Sequence, residues 1–269
     1  MKKILLIIIS ILVLALISGG VYYFFFKGKG KGAKEEIIAP PSIKKVNELE
    51  ISKRPYVALL PHPNAARCNG ADLVIEDLKN GETLAEYELE YTAGSLIQGV
   101  FGRRDLTKTT TDHQPLEFGT CSRGKCKCDQ EISGGSLTLN FTLPGDEYTL
   151  KSDFTMGTVE TIEGDLMSTD ARLRIDVGTA LARGTQVVVM KAMGLPGQLE
   201  GEILVGPYGI FVAKGVSAKG GLEITLQIGD DKGTLMYWDG KAWQDLKTTA
   251  SEGKLTATMP DAGIVVLVK

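Results

Sequence analysis

The chain has 269 residues, 43% of them hydrophobic, and a formal net charge of −3. Both signs of charge are mixed along it, so no basic face is offered to nucleic acid. With only two histidines, a His-rich metal site or a proton relay is hard to build, and no cofactor is expected.

The chain begins with a three-residue basic head, residues 1–3, and an uncharged apolar run from Ile4 to Phe26 that ends in the aromatics Tyr22 to Phe26. Roughly 20 apolar residues in a helix cross a bilayer core of about 30 Å, and a helix satisfies its own backbone groups in lipid. Residues 4–26 are therefore expected to form a transmembrane anchor, with the aromatic cluster at an interface. A cleaved signal peptide is the alternative, since Ser18-Gly19-Gly20 offers small residues for cleavage. Cleavage there would leave the five aromatics at a new amino terminus, which favours the uncleaved anchor. Lys27, Lys29, Lys31 and Lys34 follow the run, and a bare count of flanking charges favours a cytoplasmic carboxyl side. The short head, the long domains behind it and the cysteines favour the opposite: a single-pass protein of the cytoplasmic membrane with its carboxyl-terminal domains outside.

Residues 27–52 read as a juxtamembrane stalk, flexible through its Lys-Gly repeats and stiffened at Pro40-Pro41. Beyond it, short alternating segments recur between Gly, Pro, Asn and Asp clusters, with no sustained helical periodicity. That pattern predicts an all-β chain built as two β-sandwich domains, residues 53–155 and 159–269.

In the first domain, Tyr56 to Leu60 reads as a strand stopped by Pro61, followed by strands at Leu73 to Ile75 and Leu84 to Tyr91. In the last of these, Glu86, Glu88 and Glu90 alternate with Tyr87, Leu89 and Tyr91, which puts the carboxylates on one face and the rings on the other. Paired carboxylates can do acid–base work or bind a cation, but three on one strand are the usual wet side of a sheet. Ser136 to Phe141 and Tyr148 to Leu150 form a hairpin around Pro144-Gly145-Asp146.

In the second domain, strands are expected at Leu173 to Val177, Gln186 to Met190, Leu222 to Ile228, Thr234 to Trp238, Lys254 to Thr258 and Ile264 to Val268. Gly229 to Gly233 reads as a hairpin turn whose adjacent aspartates lack the spaced ligands of a calcium loop. Trp238 and Trp243 flank Asp239-Gly240, and this aromatic pair is the candidate binding surface for a glycan or protein at the cell surface. Packing of the same rings against the sandwich is the competing reading.

Leu235 to Trp243, then Leu246 to Thr249 and Lys254 to Thr258, resemble the closing strands of ZU5-type β-sandwich domains of bacterial surface proteins. Gly206-Pro207-Tyr208 with Phe211, and Leu222 to Leu226, are similar to the strand pair before them. The resemblance covers residues 184–269 and implies a sandwich fold. Some members of that family cut themselves at a His-Phe-Ser sequence. Here the region reads Met259-Pro260-Asp261-Ala262, so no self-cleavage is expected.

All four cysteines, Cys68, Cys121, Cys126 and Cys128, lie in the first expected domain. Three chemistries suit them. Cys121 and Cys126 flank Ser122-Arg123-Gly124-Lys125, a plausible four-residue hairpin loop, so their β-carbons can face each other across a ladder, which leaves Cys128 to reach Cys68. Two disulfides, Cys121–Cys126 and Cys68–Cys128, are the preferred reading in an exported chain. Four thiolates also suit zinc, but the two-residue gaps of a zinc knuckle are missing. The third reading makes Cys121 a nucleophile, with His62 or His113 as base and Arg123 steadying an oxyanion. A membrane-anchored β scaffold with those residues resembles sortase transpeptidases, yet Glu117-Phe118-Gly119-Thr120 stands before Cys121 where that family has Thr-Leu-x-Thr. His62 sits between two prolines and His113 in a Thr-Asp-His-Gln turn, both ordinary for loop histidines.

There is no Gly-x-Ser-x-Gly elbow, no His-Glu-x-x-His and no dinucleotide fingerprint. The expectation is a membrane-anchored surface protein with a non-catalytic binding, adhesion or envelope-structural role, and a cysteine transpeptidase or hydrolase centred on Cys121 as the alternative.

Overall fold

The computed structural model describes residues 46–62, 68–162, 165–178 and 180–269. The expected head, anchor and most of the stalk lie outside them. Among the described residues no helix is long and apolar enough to cross a membrane. Apart from one 3-10 turn at Ile51–Lys53 their regular structure is all β-strand, and the all-β expectation holds.

The strands in chain order are β1 (Tyr56–His62), β2 (Gly70–Glu76), β3 (Leu84–Ala93), β4 (Leu96–Asp105), β5 (Thr111–Glu117), β6 (Gly119–Ser122), β7 (Lys125–Cys128), β8 (Ile132–Leu143), β9 (Asp146–Thr158) and β10 (Asp165–Met167). They continue as β11 (Leu173–Asp176), β12 (Gln186–Lys191), β13 (Ile203–Val212), β14 (Leu222–Gln227), β15 (Thr234–Trp238), β16 (Trp243–Asp245), β17 (Thr248–Ser251), β18 (Lys254–Met259) and β19 (Gly263–Val268). A nine-stranded sheet runs in the order β16-β15-β19-β13-β12-β9-β8-β3-β4. A three-stranded sheet, β1-β2-β5, and a five-stranded sheet, β10-β11-β14-β18-β17, accompany it, and β6-β7 form a separate two-stranded arm.

Period-2 geometry explains how the large sheet serves two cores. Along β12, Val188 and Met190 belong to a core shared with β1, β2, β3, β8 and β9. Val187 and Val189 belong to a second core shared with β11, β14 and β18. Successive side chains of a strand point to opposite faces, so the three-stranded sheet covers one face and the five-stranded sheet the other. Both faces of β12 are thus buried, which is why its sequence is a continuous apolar run instead of an alternation.

This arrangement corrects the expected division into domains at 155–159. Residue 158 ends β9, whose Thr158 pairs with Gln186 and whose Phe154 pairs with Met190. One sheet continues across the expected boundary, and residues 46–269 belong to one compact unit. The local sequence shows a glycine-bearing junction there, but hydrogen bonding between β9 and β12 joins what the junction separates.

Three smaller expectations also change. β1 does not stop at Pro61 but carries through it to His62, because β1 is the edge of its sheet and an edge strand tolerates a residue without an N–H. The expected turn around His113 is strand β5, with His113 opposite Val74. Gly229 to Gly233 does turn the chain, but the strands it joins lie in different sheets, so it is a crossover and not a hairpin.

Elsewhere the patterns give what they imply. In β3, Tyr87, Leu89 and Tyr91 are buried while Glu86, Glu88 and Glu90 are exposed. Two of the buried tyrosines end on carboxylates: Tyr91 donates to Asp129 at 2.8 Å and Tyr208 to Asp170 at 2.7 Å. A phenol taken from water needs such a partner for its hydroxyl.

Candidate functional site

The cysteine arm is built by a tight turn. Arg123 and Gly124 both have positive φ, 50° and 78°, as a two-residue type I′ hairpin requires. The loop is therefore two residues, shorter than the expected four, with Ser122 paired to Lys125 and Cys121 directly opposite Cys126. Both pairs are disulfides, Cys121–Cys126 with S–S 2.08 Å and Cys68–Cys128 with S–S 2.01 Å, and no free cysteine remains. The second bridge ties the base of the arm to the residues just before β2.

The constellation proposed around Cys121 is not assembled. Its sulfur is bonded to Cys126, and a disulfide sulfur is no thiolate nucleophile. Arg123 is exposed at the turn. His62, the last residue of β1, points Nδ1 at Asp72 Oδ1 at 2.8 Å, and His113 places Nε2 at 3.2 Å from Glu76 Oε1. Each histidine is thus paired with a carboxylate on the adjacent strand β2. Among the described residues no group of three His, Cys, Asp or Glu side chains could hold a metal ion.

Trp238 and Trp243 are directly opposite across β15 and β16, with ring centroids 5.4 Å apart at 61°. Asp239 Oδ1 accepts from the N–H groups of Lys241 and Ala242, both at 2.8 Å, and so fixes the turn that brings the rings together. Both rings pack partly against the first core, and the Trp243 indole N–H donates to Gly197 O at 3.4 Å. Trp238 also borders a cleft of about 450 Å³ lined by Tyr56, Glu76, Lys214 and Asp261. Burial pushes the Tyr56 phenol upward, and Glu76 adds to the effect, so this hydroxyl stays protonated and can donate. With Asp239 also in its lining, the cleft offers an aromatic edge, a hydroxyl, three carboxylates and an ammonium, the mixed lining that suits a polar ligand.

One surface was missed in the sequence. β4 carries Ile97, 77% exposed, and Phe101, 84% exposed, at the free edge of the nine-stranded sheet. Gly99 and Gly102 interrupt its apolar residues and hide the strand signal; Leu96-Ile97 and Val100-Phe101 were the available clue. Near the β4–β5 connection, Arg104 clamps Asp112 of β5 through two hydrogen bonds of 2.7 and 2.8 Å. Further along, a groove of about 650 Å³ lies between the strands, lined by Val100, Phe101, Pro115 and Leu116.

No protein-family model, curated protein or solved structure matches this chain.

Proposed function

We propose that the chain is a membrane-anchored, non-catalytic binding module displayed outside the cytoplasmic membrane, with a protein or glycan as its partner. The observation that carries this reading is the pairing of all four cysteines in two disulfides. Disulfides persist in oxidising compartments and are rare where glutathione and thioredoxin keep thiols reduced. An export signal in residues 4–26 fits that placement. The mixed lining of the cleft beside Trp238 supports a binding role, and the ZU5-like resemblance of residues 184–269 belongs to the same reading.

The test is the intact mass of the full chain, purified in detergent from a cell that exports it and alkylated before and after reduction, with a metal assay alongside. Four alkyl groups gained only after reduction, with no bound metal, are the expected result. Bound zinc on unbridged thiols would overturn it, as would a Cys121 thiol that labels without reduction.

A further inference from the structure

Among the described residues, the sheet edges differ in one respect. The edges β1 and β5 carry Pro61 and Pro115, and β10, β16 and β17 are three or four residues long. The arm strands β6 and β7 have four residues each. Short length and proline are the usual means of keeping an edge from pairing with another chain. β4 has neither: it is ten residues long, lacks proline, and presents Ile97 and Phe101 to solvent.

The side chains beside this edge are complementary to themselves. On the solvent face, Ile97, Gly99, Phe101 and Arg103 of β4 lie opposite Thr92, Glu90, Glu88 and Glu86 of β3. Among the described residues neither Arg103 nor Glu90 makes an ion pair, although Arg103 sits opposite Glu86. Gly99 has no side chain, so the way from the free edge across β4 to Glu90 is open.

We propose that β4 pairs antiparallel with β4 of a second copy about a two-fold axis at Phe101, making one sheet continuous through two molecules. In this register Phe101 faces its own counterpart, and Gly99 faces Arg103 of the second copy. The Cα of that arginine then lies two strand spacings, about 9.6 Å, from the Cα of Glu90, a span that an extended Arg and a Glu bridge across the glycine. The arginine stem runs along Ile97, its diagonal neighbour, and covers it. The interface is isologous, so each contact occurs twice. A second copy fits this edge because the only cation on the exposed face of β4 falls opposite the only gap that leads to an unpaired carboxylate. This proposal is independent of the ligand proposed for the Trp238 cleft.

The test is the mass of the full chain in detergent by light scattering, for wild type, Glu90→Arg, Arg103→Glu and Phe101→Asp, each checked for an unchanged circular dichroism spectrum. Wild type is expected to dimerise within about 1–100 µM. Each charge variant places like charges together twice and is expected to associate about tenfold or more weakly. An equal mixture of Glu90→Arg and Arg103→Glu restores both pairs and is expected to form the heterodimer. Phe101→Asp is expected to be monomeric. A monomeric wild type overturns the proposal, and so does a dimer that survives Phe101→Asp, which places the contact elsewhere. Charge variants that do not reassociate on mixing overturn the register. A monomer whose β4 amides gain hydrogen-exchange protection only from an added peptide assigns the edge to a different occupant, and overturns it as well.

Discussion

The Tyr148 hydroxyl donates a 2.6 Å hydrogen bond to Glu82, a carboxylate only 3% exposed to solvent. Asn80 adds its backbone N–H at 2.9 Å and its side-chain amide at 2.8 Å. Burial works against ionisation of Glu82, but the Tyr148 hydroxyl and the Asn80 donors outweigh it and hold the carboxyl below its usual range. This cluster fastens the turn before β3 to β9. Removing the hydroxyl in Tyr148→Phe takes away a bond to a charged group and is expected to cost about 1.5–3 kcal/mol in urea denaturation. A loss within error would mean water replaces the hydroxyl.

The same carboxylate sets a pH dependence. Its folded pKa is depressed, so its stabilising contribution is present above the unfolded Glu value and disappears as pH falls through the folded value. Stability of the wild type is therefore expected to fall more steeply than that of Glu82→Gln in acid below the usual Glu range. Parallel curves for the two proteins in that window would sink this assignment.

Loop length ranks the two disulfides. Cys68–Cys128 spans 60 residues and Cys121–Cys126 spans five. By loop-closure entropy the first contributes about 4 kcal/mol and the second about 2 kcal/mol. The double variant Cys68→Ser/Cys128→Ser is expected to lower the denaturation midpoint more than Cys121→Ser/Cys126→Ser. The reverse order would show that the arm is held by its bridge and not by its base.

A shared sheet makes the two cores one cooperative unit. Met190→Ala empties part of the first core and Ile210→Ala part of the second, each at an expected cost of about 2–5 kcal/mol. Both are expected to lower a single transition, seen alike by tryptophan fluorescence and far-ultraviolet circular dichroism. Two separated transitions would restore two independent domains.

Gly197 lies against the Trp238 ring, and a β-carbon added there would fall 2.5 Å from Cη2. Gly197→Ala is expected to destabilise by about 1–3 kcal/mol and to shift tryptophan emission, because the ring must move. Unchanged emission would mean that the loop moves instead.

What the sequence determined by itself was local. The alternation in β3 assigned its two faces, because side chains along a strand must alternate whatever the strand pairs with. The six strands expected after residue 159 are all present, as β11, β12, β14, β15, β18 and β19. Cysteine spacing favoured Cys121 with Cys126 but left zinc and a free thiol open, and the expected four-residue loop is in fact the two residues Arg123-Gly124. Partner choice was left to the tertiary structure. Whether β9 hydrogen bonds to β12, whether β14 and β15 share a sheet, and that β4 ends the nine-stranded sheet among the described residues all depend on contacts between residues far apart in the chain. Backbone N–H and C=O groups pair without regard to side-chain identity, so the pattern that makes a strand does not name its neighbour. That choice follows from which apolar faces can be buried together, and here it divided β12 between two cores and left Phe101 in solvent.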